Sequence, residues 1–472
     1  MSDSSRSITA DPPVNTRNRV IVASLIGTSI EFYDFYVYAT AAVLVFPSLF
    51  FPNDSPAAAQ LSSFATFGLA FLARPVGSVL FGHFGDRVGR KATLVASLLV
   101  MGIATFLIGV LPTFATIGIA APTLLAVLRF TQGIGLGGEW SGAALLATEN
   151  APRTKRALYG TFPQLGAPIG FILANGLFLV LSLTIDEASF TAWGWRVPFL
   201  LSAVLVIIGL YVRLRLVETP AFTKTLESGT RARVPLGRVL RSSWRNLILG
   251  TFIMVATYVL FYFMTTFTLT FGTAKATVKE GAAAAAAAGK PFDPATFQIG
   301  LGYLRNDFLV MLIIGVVFFG VFTPIAGLLA DRYGRRPMLL IVTALIALFG
   351  LSFQIWFGGS SGQPLVTTAF LAVGLALMGL TFGPMGALLP ELFPTNVRYT
   401  GSAIAYNVAS ILGASIAPIV ALLLWQRDGN ITLVGLYLTG AAIITFIALL
   451  IVKETRDVDL LEASIAEAAS AP

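Results

Sequence analysis

The sequence predicts an all-α polytopic membrane protein with twelve transmembrane helices in two pseudo-symmetric six-helix halves. Three observations carry that reading. First, 56% of the 472 residues are hydrophobic and only 11% are charged, against about 25% charge in an ordinary soluble domain. Second, the apolar residues fall in runs of spanning length, Ala92–Leu111 and Leu339–Phe357 among them, too long and too many for one soluble core. Third, a short basic loop occurs twice, as Gly82-His83-Phe84-Gly85-Asp86-Arg87-Val88-Gly89-Arg90-Lys91 and as Gly327-Leu328-Leu329-Ala330-Asp331-Arg332-Tyr333-Gly334-Arg335-Arg336. Gly, Asp, Arg, Gly and Arg recur at the same internal spacing. Glu149, Pro152 and Arg156 are echoed in the same way by Glu391, Pro394 and Arg398. A membrane chain duplicated like this reads as two homologous halves around a central axis.

The elements follow in order. Residues 1–19 are polar and Ser-rich, without the charged-then-apolar pattern of a cleaved signal, and read as a disordered cytosolic tail. The N-terminal half, 20–217, holds apolar runs near 20–46, 60–82, 92–111, 120–147, 157–182 and 193–216. A cytosolic linker, 218–245, is rich in Arg, Thr and Ser. The C-terminal half, 246–456, holds runs near 246–272, 300–329, 338–357, 365–389, 399–425 and 432–452. Within it, 273–297 contains an alanine run at 282–288 and reads as a flexible outer insertion, or as a short surface helix because alanine is the best helix former. Residues 457–472 form a cytosolic tail too short for a coiled coil.

Charge placement sets orientation. Most of the 31 Lys and Arg lie in tails and loops on the side of both termini, while the opposite loops hold Lys275, Lys279, Lys290 and Arg427. The positive-inside rule then places both termini in the cytosol of a bacterial-type inner membrane. The net charge of +8 follows from that topology, so no nucleic-acid partner is implied. There are no cysteines, so disulfides are excluded. A lone histidine, His83, lies in the first repeated loop. No nucleophile–base pair, metal-ligand cluster or phosphate-binding loop is present, which argues against an enzyme, a cofactor or a metal.

Further motifs carry a family resemblance. They are Ile30-Glu31-Phe32-Tyr33-Asp34-Phe35-Tyr36-Val37-Tyr38, Phe71-Leu72-Ala73-Arg74-Pro75, Arg129-Phe130-Thr131-Gln132-Gly133 followed by Gly137-Gly138-Glu139-Trp140, Trp193-Gly194-Trp195-Arg196-Val197-Pro198-Phe199, and Pro390-Glu391-Leu392-Phe393-Pro394-Thr395. With the two Gly-x-x-x-Asp-Arg-x-Gly-Arg loops, they make the chain resemble the major facilitator superfamily. Within it, the chain resembles the metabolite:proton symporter family, on its shikimate-transporter-like branch. The resemblance covers about 18–456. It implies the major facilitator fold and proton-coupled uptake of a small organic acid, such as a shikimate-like or dicarboxylate metabolite, by a monomer in the lipid bilayer. The alternatives are a carrier of a zwitterionic osmolyte or amino acid of the proline/betaine kind, and a non-transporting sensor. The long C-terminal coiled-coil extension of proline/betaine members does not follow Arg456 in this sequence. Span seven reads Tyr258-Val259-Leu260-Phe261-Tyr262 where sugar porters carry a glutamine pair.

Charges inside a span cost at least a few kcal/mol unless paired or hydrated, so each one is a functional candidate. Glu31 and Asp34 share a face of span one. Helical rise puts Glu31 roughly 16 Å from the inner boundary and Arg129 roughly 14 Å from the outer boundary of a core about 30 Å thick. The two therefore sit at similar depth. Such a pair either exchanges a proton according to whether an anion occupies the arginine or is a fixed ion pair holding two helices together. Asp34 and Glu139 are further protonation candidates. Arg129 and Glu139 are roughly 15 Å apart along a regular helix and cannot pair directly. Arg74, Gln132, Gln164, Tyr258, Tyr262, Tyr406 and Asn407 join Arg129 as substrate candidates. Asp86, Arg90 and Glu149, with their repeat Asp331, Arg335 and Glu391, read as exposed, reversible inner gates. Arg196 reads as a gate or packing residue at an outer helix end.

Overall fold

The computed structural model describes residues 17–52, 55–88, 90–137, 139–214, 235–276, 278–287, 299–357, 363–394 and 397–458. Among them the chain is helical, without strands. Eight helical segments are long and apolar enough to cross a membrane: Pro56–Phe81, Arg153–Thr184, Gly194–Val212, Trp244–Thr273, Arg305–Tyr333, Pro364–Glu391, Arg398–Arg427 and Ile431–Ile451. A shorter apolar helix, Val95–Val110, together with Arg17–Leu44, the pair Ala120–Leu136 and Glu139–Glu149, and Arg335–Leu351, completes twelve spans. Large apolar side chains such as Val79, Ile103, Val127, Ile207, Ile341, Leu348 and Ile447 stand exposed on the outside. In water such a surface would drive association; in a bilayer it is the lipid-facing wall.

The duplication seen in the loops extends to the helix breaks. Span four breaks after Leu136 and restarts at Glu139. Its counterpart, span ten, breaks between Phe382 and Met385. Span five changes course between Gln164 and Gly166, next to Pro163, and span eleven does so through a π-helical turn at Ile411–Ser415. Span seven contains a second π-turn, Phe263–Phe267. Such irregular turns survive in a bilayer only where protein or a cavity satisfies the backbone, and π-turns concentrate at functional sites. The halves meet along two equivalent seams, span two against span eleven and span eight against span five.

The insertion expected to be flexible contains a helix, Val278–Ala287. Its base is fastened by backbone bonds: Leu301 N–H to the Phe271 carbonyl at 3.0 Å, Gly302 to Ala274 at 2.8 Å and Tyr303 to Gly272 at 2.9 Å. Residues 288–298, the 1–16 tail, the 215–234 part of the linker and the 459–472 tail lie outside the described residues.

Spans two and four cross at glycines. A methyl group on Gly133 would run into the Ala70 backbone, and one on Gly77 into the Ile134 carbonyl. This is the small-residue contact that lets membrane helices approach closely. Gly133→Ala should therefore lower the melting temperature of the purified protein, at a cost of about 1–3 kcal/mol from overpacking. Gly176→Ala on span five meets nothing within 4 Å and should leave it unchanged. A differential thermal-unfolding measurement of the two variants in detergent checks this; equal stability would refute the close-contact account.

Candidate functional site

The buried charges of the first half form two groups. Arg129 is fully buried, its guanidinium lying 4.0 Å from the Tyr38 ring, 4.4 Å from Phe35 and 4.9 Å from Phe67. Cation–π contact of this kind offsets part of the desolvation of the charge. Its Nε donates to the Phe67 carbonyl at 3.3 Å and its Nη1 to Gln132 Oε1 at 2.5 Å, while Nη2 has no hydrogen-bond partner. Gln132 Nε2 donates onward to Thr105 Oγ1 at 2.8 Å. Thr105 Oγ1 lies 3.3 Å from Asp34 Oδ2 and 2.9 Å from the Met101 carbonyl. A relay of hydrogen-bonded neutral groups thus joins Arg129 to Asp34. Asp34 is itself fully buried, and its Oδ1 has no partner.

The second group is Arg74 and Glu31. Arg74 lies 5.1 Å from the Phe35 ring and 5.2 Å from Phe71, with its Nε lacking a hydrogen-bond partner. Glu31, Tyr258, Tyr262 and Tyr406 all act on it electrostatically. The expected neighbours are therefore exchanged. Glu31 acts on Arg74 and is absent from the groups acting on Arg129, which responds to Tyr38, Tyr262 and Arg74. Matching depth along two helix axes does not fix which faces meet; span two, carrying Arg74 and Phe67, lies between.

Two cavities lie between the halves. One, small and nearly closed, is lined by Tyr36, Thr40, Asn175, Tyr262, Thr265 and Thr266 among others. The other, also small, is mainly aromatic, with Phe32, Tyr36, Tyr258, Phe261, Tyr262, Phe319, Phe382 and Tyr406. Tyr36 and Tyr262 line both. Tyr258, Tyr262 and Tyr406, named above as substrate candidates, line the aromatic cavity. Arg129 and Gln132 line neither cavity, and Arg74 sits behind the tyrosines. Thr40, Asn175, Thr265 and Thr266 were not singled out from sequence, since lone polar residues on apolar helices give no periodic signal.

The halves are joined at both ends. At the end carrying the repeated loops, both carboxylate oxygens of Asp331 accept backbone N–H bonds from Ala157 and Leu158 at 2.9 Å each, capping helix Arg156–Gln164 of the other half. A carboxylate at a helix N-terminus adds about 0.3–1 kcal/mol, up to ~2 when partly buried. Asp331 also pairs with Arg335 at 3.3 Å, and Arg335 grips Glu391 through two bonds of 3.2 Å. The Arg335–Glu391 pair is buried, contrary to the exposed gate expected. Thr455 donates to Glu391 at 2.6 Å, and Glu454 caps the Arg335 and Arg336 amides at 2.9 and 2.8 Å, covering it. Glu149 and Glu391 both act on Arg398. The side chains of Asp86 and Arg90 lie outside the described residues.

Slightly deeper, Trp140 stacks on Tyr406 at 3.9 Å and donates to Gln164 at 2.8 Å, while Gln164 donates to the Phe382 carbonyl at 3.1 Å. Asn407 donates to the carbonyl of Gly137, freed by the span-four break, at 2.9 Å and to Ser78 at 2.8 Å. Gln164 and Asn407, expected as ligand contacts, thus spend their amides on the seam. Glu139 is buried at the start of its helix, a favourable place for a carboxylate. At the opposite end Arg305 makes a bidentate pair with Glu187 across the halves, at 2.7 and 3.1 Å. Asp186 positions that helix by accepting from the Ser189 amide, and these bonds hold its carboxyl below the usual range. Arg196 stays within the first half, donating to the carbonyls of Gly109 and Leu111 at 2.9 and 2.6 Å; its contacts are packing contacts.

A duplicated helical bundle with a central cavity, buried charges beside it and latches at both ends defines a membrane transporter of the major facilitator class. The chain belongs to the family described as sugar (and other) transporters, whose profile matches residues 19–243 and 297–466. The inner membrane metabolite transport protein YhjE of Escherichia coli K12 is 60% identical over 445 residues, 94% of this chain and 96% of that protein. The shikimate transporter of the same organism is 34% identical over 93% of this chain and 95% of its own length. The major facilitator proton:xylose symporter XylE, solved with 6-bromo-6-deoxy-D-glucose bound, shares the fold with a TM-score of 0.66 at 19% identity, covering 95% of this chain and 98% of that one.

The two latches give opposite expectations. Asp331→Asn should raise labelling of a cysteine at Ala167, in the aromatic cavity, from the end with the repeated loops. Glu187→Gln should raise labelling of a cysteine at Ala39 from the other end. The cysteine-free chain makes the test direct, with impermeant maleimide on vesicles of both orientations. Labelling that rises equally from both sides would mean these contacts do not latch ends.

Proposed function

We propose that the chain is a proton-coupled symporter that takes up a small organic acid by alternating access between spans one to six and spans seven to twelve. The end with the repeated loops faces the cytosol, as does each terminus. The observation carrying the acid specificity is Arg74: a buried cation with an unpartnered N–H, behind the tyrosines that line the aromatic cavity. A carboxylate admitted among those tyrosines takes up that N–H and competes with Glu31 for the guanidinium. Arg129, one helical layer away, reinforces the positive potential. The names of the relatives, a metabolite transport protein and a shikimate transporter, agree with this reading.

Asp34 is proposed as the proton carrier by hydrogen-bond accounting. Thr105 has one hydroxyl hydrogen and two acceptors in range, Asp34 Oδ2 and the Met101 carbonyl. With Asp34 charged, the single hydroxyl hydrogen serves either Asp34 or the Met101 carbonyl, which also takes a backbone bond inside helix Arg90–Val110. With Asp34 protonated, Asp34 donates to Thr105, Thr105 donates to Met101, and Gln132 donates to Thr105, so Oδ2 and the threonine hydroxyl are both served, and the unpartnered Oδ1 is a neutral carbonyl oxygen instead of a charged one. The proton also removes an unpaired buried charge, a cost of several kcal/mol. Glu31 beside Arg74 is the site at which substrate charge is exchanged, and Glu139 serves the cytosolic half of the path. Asp331 latches span five, and the duplication gives Asp86, Arg90 and Glu149 as candidates for the equivalent role at span eleven.

A zwitterionic osmolyte is the second reading, favoured by the aromatic wall of Tyr258, Phe261, Tyr262, Phe319, Phe382 and Tyr406, which suits a quaternary ammonium. The Arg74 charge opposes it.

Uptake of labelled acids and betaines into vesicles with an imposed pH gradient decides between them. An acid should accumulate when the outside is acidic, and a protonophore should abolish accumulation. Asp34→Asn should lose accumulation while retaining exchange. Arg74→Lys keeps the charge but loses planar two-point contact and should raise KM about tenfold or more. Sodium-driven accumulation, or betaine uptake indifferent to Arg74, would overturn the proposal.

A further inference from the structure

We infer that the short helix Pro235–Ser242 and the start of span seven form a docking site for an anionic phospholipid. Arg241 and Arg245 contact its phosphate, and Leu240 and Trp244 lie against its acyl region. The inference is independent of the substrate and of the coupling ion.

Helix Pro235–Ser242 runs into span seven, Trp244–Tyr262, with a one-residue break at Ser243. The hydrogen-bond ladder carries across that break: the Ser243 amide donates to the Val239 carbonyl and the Leu247 amide to the Ser243 carbonyl, both at 2.9 Å. Val239 and Ser243 are buried. The helix packs on the start of span eleven, Arg398–Ser410. Asn246 Nδ2 donates to the Leu392 carbonyl, just past span ten, at 2.6 Å. The second half thus holds this segment in a fixed place.

Its outward side carries two rows of side chains. Phe252, Ile248 and Trp244 are exposed at steps of four along span seven, and one more step of four reaches exposed Leu240. Steps of four follow one helix face, and large apolar side chains exposed along a span face lipid. Beside that row, Arg241 and Arg245 are exposed and also four apart. Among the described residues no carboxylate pairs with either. The partner of Arg245 is the Trp244 ring, 5.5 Å from its guanidinium. Two like charges one turn apart repel, so an anion seated between them is favoured.

Topology alone calls for cations on this side of the membrane and does not say where they sit. Here they stand where the lipid-facing row ends, next to a tryptophan, the residue type enriched at headgroup level. A phosphodiester with net negative charge meets two guanidinium groups suited to phosphate, while its chains continue along Leu240, Trp244 and Ile248. A zwitterionic lipid brings its own cation to the same place and gains less. A soluble phosphate would use the arginines and leave the apolar row without a role.

The test is native mass spectrometry of the purified full-length chain in detergent, titrated with phosphatidylglycerol or with phosphatidylcholine of the same acyl chains. The most tightly held phosphatidylglycerol should bind about tenfold or more tighter than phosphatidylcholine, since each basic side chain beside an anionic lipid contributes roughly fivefold. Arg241→Gln with Arg245→Gln should remove most of that preference and leave phosphatidylcholine retention unchanged. Each single variant, at an exposed position, should lower the preference severalfold, which guards against misfolding of the pair. Arg231→Gln with Arg233→Gln removes the same charge from the linker and should keep the preference. Glycerol phosphate, a soluble fragment of the headgroup, should not displace the lipid at equal concentration. Equal retention of the two lipids by the unaltered chain overturns the proposal. So does an equal loss of preference in the two double variants, which would mean a diffuse charge effect, or displacement by glycerol phosphate, which would mean a soluble-anion site.

Discussion

The rest of the site depends on how a guanidinium is kept in the middle of a membrane bundle. Arg129 is enclosed by the rings of Phe35, Tyr38 and Phe67 and has one side-chain acceptor, Gln132. That acceptor is held by Thr105, and Thr105 reaches Asp34. The charge is thus solvated by aromatic faces and by a neutral chain instead of by a directly bound carboxylate. A direct ion pair would hold Asp34 in its charged form. The interposed amide and hydroxyl leave Asp34 able, on the proposed reading, to take and release a proton without breaking a buried salt bridge. Aromatic enclosure also accounts for two rings of span one: Phe35 faces the arginines of spans two and four, and Tyr38 faces Arg129.

The two ends of the bundle solve a different problem. Contacts there must hold the halves together yet come apart in turnover. At the end with the repeated loops, a carboxylate on one half meets backbone amides on the other, so the bond across the seam depends on helix geometry. The strong buried pair, Arg335 with Glu391, lies within one half. On the proposed reading that division suits alternating access, with the within-half pair kept and the modest cap-to-amide bonds broken and remade. At the other end, Arg305 and Glu187 form an exposed ion pair, whose net contribution in water is on the order of 1 kcal/mol or less.

The architecture was legible in sequence because it is written in periodic signals. Long apolar runs, the distribution of cations and the repeated Gly-Asp-Arg-Gly-Arg loops each report on the whole chain, and the pairing of Arg335 with Glu391 followed from a fixed offset. The site was legible only in part. Arg74, Tyr258, Tyr262 and Tyr406 were readable as polar residues out of place in apolar helices. Which carboxylate meets which arginine was not, because it depends on helix rotation, and depth alone put Glu31 beside Arg129. Gln164 and Asn407 looked like ligand contacts for the same reason that they bind across the seam: both uses call for an amide at mid-membrane. Thr40, Asn175 and Thr266 could not be found from sequence, since only the π-turn and the meeting of the halves bring them to one cavity.

The central claim is that Asp34 carries a proton in the arrangement described, held by Thr105. Infrared difference spectroscopy on the purified protein tests it most directly, because a protonated carboxyl has a C=O stretch distinct from that of a carboxylate. The account predicts such a band at neutral pH before substrate is added. The band should vanish in Asp34→Asn and shift in Thr105→Val. Absence of the band, or a band that persists in Asp34→Asn and disappears in Glu31→Gln, would contradict it.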